Sequence, residues 1–536
     1  MAITLDELYR ADFYSWLKNK YILPTGENYN FKTFEYLEHI CKHHWKPGDH
    51  IFAKKPSQVG VSEIMLALAV WMNLRGLPKW KGCGYFFPAR EQLQDHIKAR
   101  FLPMFDYEND RSLELRSKLG QQNLRYIALN RKPIYFRSGQ TRRELISIAL
   151  DCAIIDEFDE FQNPISVVPT LEARFGQSDY GFIFGGSTPT IPEIGIDAAY
   201  AMSNQYNWYA PCTRCGVKFS PVVEVLSRGF ESCVVKAPIS GDVGFICPNC
   251  HDLTQTNGIP GGDWILDEKK DNQNYGYAVS RLFTPRHKLN KMLEDYELGH
   301  NLQEFYNSTL GLAYAPKNAR LTRSSIFECA TGPEQVPTSS SESLWMGIDV
   351  GKKCHWVVGR QTEGKRVVVA YGACNFDDLN AVVSRYNVKY CVIDLRPYEQ
   401  EVKRFIGGRR GFVACEFNTG HQEDWFRFLI ADEDTRGEKT RMVKADKTQC
   451  CDILINEIAN KHTFVFPSSV KGDNLFISQM CAPVRMEKTD KDRGDITAIY
   501  GNGGRADHYF FACSYLMLAF QLKRSASVLA SKLSFF

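Results

Sequence analysis

Residues 51–62 read IFAKKPSQVGVS: a short apolar strand, a loop with one glycine, and a serine heading an apolar helical pattern. A phosphate-binding loop ordinarily follows G-x-x-x-x-G-K-[ST]. Its amides cradle phosphates, its lysine holds the β- and γ-oxygens, and its hydroxyl ligates Mg²⁺. Anchored on Gly60 and Ser62, the pattern puts Val61 in the lysine slot and Lys55 in the slot of the first glycine. The strict pattern therefore fails, but the physics need not. A loop that wraps its ligand lets a long cation at its start reach the same oxygens, and Ser62 still opens a helix whose N-terminus favours anions. Ser57, Gln58, Val59 and Glu63 complete the candidate lining. A polar loop before a helix explains the segment equally simply, so the choice rests with other parts of the chain.

Two later segments favour nucleotide. Residues 154–157, IIDE, end a buried strand in two carboxylates. In a parallel sheet such a strand end lies beside the phosphate loop. Asp156 is expected in the Mg²⁺ shell, and Glu157 as the residue that orients and polarises the attacking water. The acidic run DEFDE also permits a merely solvated turn. Residues 185–190, GGSTPT, come after another apolar strand and would bring Ser187 and Thr188 to the γ-phosphate. From residue 50 to 190, short apolar strands alternate with helical patterns, which predicts a mainly parallel sheet covered by helices on both faces.

The texture changes between about 207 and 262. Cys212-x-x-Cys215 and Cys247-x-x-Cys250 form two tight hooks with Pro211, Gly216 and Pro248 at their turns, and helical periodicity vanishes. Two such hooks close a four-thiolate tetrahedron, so a structural Zn²⁺ site of the zinc-ribbon type is expected, with Cys233 as the substitute ligand. Helical texture returns from 275 to 309, and the Pro- and Ser-rich run 331–343 reads as a linker.

Beyond it, Asp349 lies in an apolar strand between Gly347 and Gly351, Asp394 ends the strand KYCVIDL, and Asp507 opens the last helix. Strand-borne aspartates converging with a helix-borne one hold one or two Mg²⁺ or Mn²⁺ ions, which activate water against a phosphodiester. Each aspartate alone also fits a turn or a cap. Asp446 and Asp495 are further candidates, and His508 is a candidate proton shuttle or a structural partner of its neighbour.

Composition sets bounds. With 536 residues and 44% hydrophobic content there is material for roughly two or three domains with sizeable cores. A net charge of only +3 does not by itself argue for nucleic acid. Seventeen cysteines, an odd number mostly scattered singly, speak against a disulfide framework and for a reducing compartment. No signal peptide or membrane-length apolar run is read. The longest run, 509–520, suits a core helix, so the chain is expected to be soluble and intracellular, with no membrane role.

This order of parts resembles the large terminase subunit of tailed bacteriophages, most of all its lambda-like branch. The features that carry the resemblance are the forward lysine in KKPSQVGVS, the insertion with PCTRCG and CPNC, and the stretch FYNSTLGLAY at 305–314. It covers about residues 30 to 520. It implies an α/β chain with a P-loop ATPase domain of the additional-strand, RecA-like type at 1–206. A zinc-ribbon insertion at 207–262 and a helical return at 263–330 would come next, then the linker at 331–343 and a ribonuclease-H-like nuclease at 344–536.

The resemblance also implies roles. Lys55 and Ser62 would serve as loop residues, with Asp156 and Glu157 holding Mg²⁺ and activating water. Ser187 and Thr188 would couple, and Asp349, Asp394 and Asp507 would be nuclease metal ligands. The cofactors would be ATP, Mg²⁺ or Mn²⁺, and Zn²⁺. The partners would be double-stranded DNA, a portal protein and a small terminase subunit. A homo-oligomeric ring on a procapsid in the cytoplasm of the infected host is expected, the isolated chain being compatible with a monomer. An adenine-contacting element is expected in residues 28–37, and an arginine finger among Arg90, Arg142 and Arg174 or from a neighbouring subunit. Two other readings stand beside this one: a metal-dependent nuclease on a vestigial ATPase scaffold, and a zinc-ribbon packaging adaptor without catalysis.

Overall fold

The computed structural model describes residues 4–123, 125–161, 164–254, 257–270, 272–299, 301–316, 319–334, 342–362, 364–418, 425–431, 440–489 and 496–522. Two compact units result, Met1–Tyr314 and Ala315–Phe536.

The first unit is built on a twisted sheet. In chain order its main strands are β1 (His50–Lys54), β2 (Cys83–Phe87), β3 (Leu119–Asn123), β4 (Tyr126–Leu129), β5 (Lys132–Ser138), β6 (Cys152–Asp156), β7 (Phe182–Ser187), β8 (Asn204–Pro211), β9 (Asp263–Glu268) and β10 (Asn274–Ala278). Across the sheet they run β9-β8-β10-β1-β7-β6-β2-β5-β4-β3. From β8 to β5 every neighbouring pair is parallel. β1, β2, β6 and β7 are buried along their whole length, as strands covered on both faces must be. β7 lies between the loop-bearing β1 and the acidic β6, which is the additional-strand arrangement. Helix α1 (Val61–Leu74) leaves the loop with nearly every side chain buried.

The cysteine-rich insertion leaves the sheet from the end of β8 and returns as β9, paired antiparallel to it. It is not free of helix: Pro221–Arg228 and Phe230–Cys233 are helical. Ser220 caps the first and Pro221 occupies its first turn, a start signal that the neighbouring Gly and Cys residues obscure in the sequence. The expected helical return begins as two strands, β9 and β10, because Asp263–Glu268 and Asn274–Ala278 complete the sheet edge.

The second unit begins at Ala315, ahead of the expected linker, most of which lies outside the described residues. Helix Arg323–Cys329 is part of this unit, its Ile326 and Cys329 buried in the unit's core, because its only apolar face fits there. The strands are β11 (Leu344–Val350), β12 (Cys354–Thr362), β13 (Lys365–Cys374), β14 (Val388–Asp394), β15 (Phe412–Asn418), β16 (Phe426–Ala431), β17 (Thr440–Asp446) and β18 (Phe464–Val465). Their order is β16-β17-β15-β14-β11-β12-β13-β18. The antiparallel meander β11-β12-β13, with β14 and β15 added in parallel on the other side of β11, is the ribonuclease-H-like order.

Helix α2 (His508–Ala519) is buried all round, as its unbroken apolar sequence requires. It crosses β11 so closely that a Cβ on Gly347 would stand 2.1 Å from the Ala512 carbonyl oxygen and 2.1 Å from the Leu516 nitrogen. Both obstacles are backbone, which cannot rotate aside. Gly347→Ala is therefore expected to destabilise this unit by roughly 3 kcal/mol or more. Thermal unfolding of the full chain checks it: an unaltered profile would show that the helix does not rest on this glycine.

Candidate functional site

At the end of β1, Lys55 is buried, 3% exposed, with its amine 3.0 Å from Glu157 Oε1 and 3.6 Å from Asp156 Oδ1. Burial alone would push the amine pKa down, but the two carboxylates override it and hold it above the ordinary value. Asp156 is held from three more sides. The Ser62 hydroxyl and the Glu157 N–H donate to Oδ1, each at 3.1 Å, and the Tyr85 hydroxyl donates to Oδ2 at 3.1 Å. Glu157 turns off the strand at φ +54°, a left-handed conformation that costs a non-glycine residue about 1 kcal/mol or more and recurs where a side chain must be aimed. The loop reverses through Gln58 at φ +62° and Gly60 at φ +82°.

The loop is braced from outside. The Tyr36 hydroxyl donates to the Val59 carbonyl at 2.9 Å, and Phe34 and Leu37 close over Gly60, so the segment expected to contact adenine does pack on the loop. Arg281 donates to the Ser57 carbonyl at 3.1 Å and bonds its hydroxyl. Gly311, within the FYNSTLGLAY stretch, approaches Pro56 where a Cβ would meet the proline Cδ at 2.6 Å. The structure thus brings together Lys55, Ser62, Asp156 and Glu157, with Ser57, Gln58, Val59, Gly60, Val61 and Glu63 around them. Val61 itself is wholly buried.

The segment after β7 is tied to the end of β6. The Ser187 hydroxyl accepts from the Asp159 N–H at 3.0 Å and donates to the Thr188 carbonyl at 3.1 Å, so it is already engaged. Asp159 accepts in turn from the Thr190 N–H and hydroxyl, both at 2.9 Å, and from the Ile196 N–H at 2.6 Å. It ties the end of β6 to that of β7, a role hidden inside the acidic run. Of the arginine candidates, Arg174 donates to the Ile146 carbonyl at 2.9 Å, Arg142 opens a short helix, and Arg90 lines a small cavity with Arg125 and Arg137. Arg100, which no sequence motif singles out, lines the cavity against the loop.

The four cysteine sulfurs lie within 4.8 Å of one another, with Cys212–Cys250 and Cys215–Cys247 both at 3.8 Å. Sulfurs about 2.3 Å from a tetrahedral Zn²⁺ stand about 3.8 Å apart, so the set fits that ion. The N–H groups of Arg214 and Asn249 point at the sulfurs of Cys212 and Cys247, at 3.3 and 3.4 Å, as donors to thiolates do. Each hook turns through a left-handed residue, Gly216 at φ +77° and His251 at φ +59°. Cys233 stays buried in the surrounding apolar core, outside this group.

In the second unit, β11 and β14 end side by side, with Ile348 opposite Ile393. Asp349 and Asp394 line one cavity together with Glu416, Lys447 and Tyr515. Burial and the Asp349 charge push the Asp394 carboxyl up to about 7, while the Tyr515 hydroxyl and the Arg396 N–H donate to it. Asp507 stands at the head of α2, feels the Asp349 charge, and accepts from the Asn502 amide at 2.8 Å; it is not among the cavity-lining residues. His508 Nδ1 lies 2.7 Å from Asp349 Oδ2, and its ring stacks on His355 at 4.4 Å. Asp446 caps the next helix by accepting from the Gln449 N–H at 2.8 Å, which is the structural explanation for it, and Asp495 lies outside the described residues. Sequence reasoning misses Glu416, although its signal, a carboxylate late in an apolar strand, is the one that finds Asp394.

Comparison with known proteins bears on the family of the first unit and on the fold of the chain. Residues 39–260 match the family described as "Phage terminase large subunit gpA, ATPase domain". The crystal structure of the HK97 bacteriophage large terminase superposes over 95% of this chain and 98% of its own, at 9% identity and a TM-score of 0.54. The large terminase of the thermophilic bacteriophage D6E aligns over 88% of this chain and 93% of its own, at 12% identity and a TM-score of 0.29, too remote to bear on detail. No curated protein sequence matches. Among the described residues no helix is long and apolar enough to cross a membrane. Residues 39–260 are therefore an ATPase domain of the phage terminase large-subunit family, and the chain as a whole has the fold of a large terminase.

Proposed function

We propose that this chain is the large subunit of a phage DNA-packaging motor. It hydrolyses ATP to drive double-stranded DNA into a procapsid, and it cuts concatemeric DNA with a divalent-metal endonuclease. One observation carries the reading: each unit gathers a charged set at the C-terminal ends of its parallel strands, Lys55 with Asp156 and Glu157 in one, Asp349 with Asp394 in the other.

In the first unit Lys55 holds Glu157 in an ion pair. Terminal phosphates entering the loop would draw the amine onto their oxygens and release Glu157 to orient and deprotonate the attacking water. Ser62 and Asp156 would hold Mg²⁺, which neutralises the phosphates. Asp159 links the catalytic strand end to Ser187 and Thr190, so a shift at Glu157 would be felt by the segment after β7. In the second unit Asp349 and Asp394, with Asp507 and Glu416 nearby, would hold Mg²⁺ or Mn²⁺ for phosphodiester hydrolysis. The thiolates of Cys212, Cys215, Cys247 and Cys250 would hold a structural Zn²⁺. DNA contact would run mainly through phosphates and weaken with salt. A portal protein, a small terminase subunit and further copies of the chain in a ring complete the proposed machine, in the cytoplasm of the infected host.

Paired assays of DNA-stimulated ATP turnover and Mn²⁺-dependent plasmid cleavage test this. Glu157→Ala is expected to lose ATP turnover about a hundredfold or more while still cutting, and Asp394→Ala the reverse. Loss of neither activity in either variant would contradict the assignment. The second site adds a pH dependence. A carboxyl with its pKa raised to about 7 is protonated below neutrality, and only the ionised form ligates. Mn²⁺ affinity measured by calorimetry should fall about tenfold per pH unit below 7, with proton release on binding. The same affinity at pH 6 and pH 8 would remove Asp394 from the site.

A further inference from the structure

We propose that Arg100 supplies the cation that Val61 removes from the phosphate loop, contacting the terminal phosphates of a bound nucleoside triphosphate from the helix end of the loop. The proposal rests on the reading of this loop as a nucleotide site. Lys55 stands at the start of the loop, and Val61, wholly buried, leaves no charge beside Gly60 and Ser62. The cavity against the loop is lined by loop residues, by Ser62 and Glu63 of the first helical turn, and by a single side chain from elsewhere, Arg100.

The backbone delivers this side chain in a particular way. Leu93, Ile97, Phe101 and Phe105 are all buried and recur every four residues. A 3.6-residue helix would drift away from such a repeat. The chain answers with a π-helical turn over Ile97–Phe101, whose larger number of residues per turn keeps the apolar side chains in register. Lys98, Ala99 and Arg100 are thereby turned outward together. π-helical turns of this kind concentrate at functional sites.

Arg100 is held loosely. Its Nη1 lies 3.5 Å from Glu63 Oε2, and its side chain is 50% exposed. Among the described residues this long contact is what engages a guanidinium that carries five donors in all. Glu63 has a second and shorter partner, because the Tyr21 hydroxyl donates to Glu63 Oε1 at 2.7 Å. The carboxylate therefore works as a rest for the arginine, and a phosphate offering two oxygens to the fork would outcompete a single long contact. One helical turn earlier, His96 is half-buried, with its buried Nε2 lacking any partner among the described residues, and provides no competing cation: desolvation, then the charges of Arg100 and Lys55, bring its pKa down to about 3. The loop would thus be served by two cations, Lys55 from the start and Arg100 from the end.

The test compares binding of a fluorescent, non-hydrolysable ATP analogue and of ADP, both with Mg²⁺, to the full chain and to Arg100→Ala and Arg100→Lys, with melting temperature as a control. Arg100→Ala is expected to weaken the triphosphate about tenfold or more and ADP by less than about threefold. Arg100→Lys, which keeps the charge but not the fork, should recover part of the loss. Unchanged triphosphate binding, equal weakening of both nucleotides, or a lysine variant no better than alanine would overturn the proposal. A wild-type chain that binds the analogue yet turns over no ATP refutes the ATPase reading while leaving this contact measurable. A wild-type chain that binds neither nucleotide overturns both.

Discussion

A single buried amine, that of Lys55, joins the parts of the first unit that do chemistry. It closes on Asp156 and Glu157 at once, so the loop after β1 and the acidic end of β6 are one electrostatic object. A charge this deep persists only when paired, and taking it away would leave two carboxylates facing each other without a cation, a loss of the order of 3–5 kcal/mol. The forward lysine is therefore a folding element in its own right. This explains how the loop tolerates Val61: the charge that organises the site is anchored one strand end away, and the lysine slot is free to be apolar and packed.

The surrounding architecture serves that contact. β7 is wedged between β1 and β6, so a change at the lysine reaches β7 through paired backbone on both sides. Asp159 adds a side-chain path, receiving N–H and O–H groups from Thr190 and Ile196 while its own N–H is fixed on Ser187. The second unit repeats the theme with a different set of carboxylates. Parallel strands β11 and β14 present aspartates at neighbouring ends, and Gly347 lets α2 lie against the sheet so that its first turn reaches Asp349.

Much of this is legible in the sequence, and the reason is local. A carboxylate straight after an apolar strand marks a strand end, which locates Asp156, Glu157, Asp349 and Asp394 without any tertiary knowledge. Two tight cysteine hooks likewise announce their own geometry. The residues that escape notice act across the chain. Tyr85 meets Asp156 from another strand, Arg100 reaches the loop through a π-helical turn, and Asp159 looks like one more acid in a solvated run. Asp507 illustrates the opposite case: its position at the head of a helix is evident, but its hydrogen bond to Asn502 is not. The unit boundary is misplaced in the sequence for a similar reason. Helix Arg323–Cys329 shows a polar exterior, and only packing reveals which core its Ile326 and Cys329 enter.

The most direct measurement is a structure of the chain with Mg²⁺ and a non-hydrolysable ATP analogue in the loop. The account predicts that the Lys55 amine leaves Glu157 and stands within about 3 Å of the β- or γ-phosphate oxygens, with the Glu157 carboxylate left facing the γ-phosphorus. Terminal phosphates bound with that amine still closed on Glu157 would contradict it.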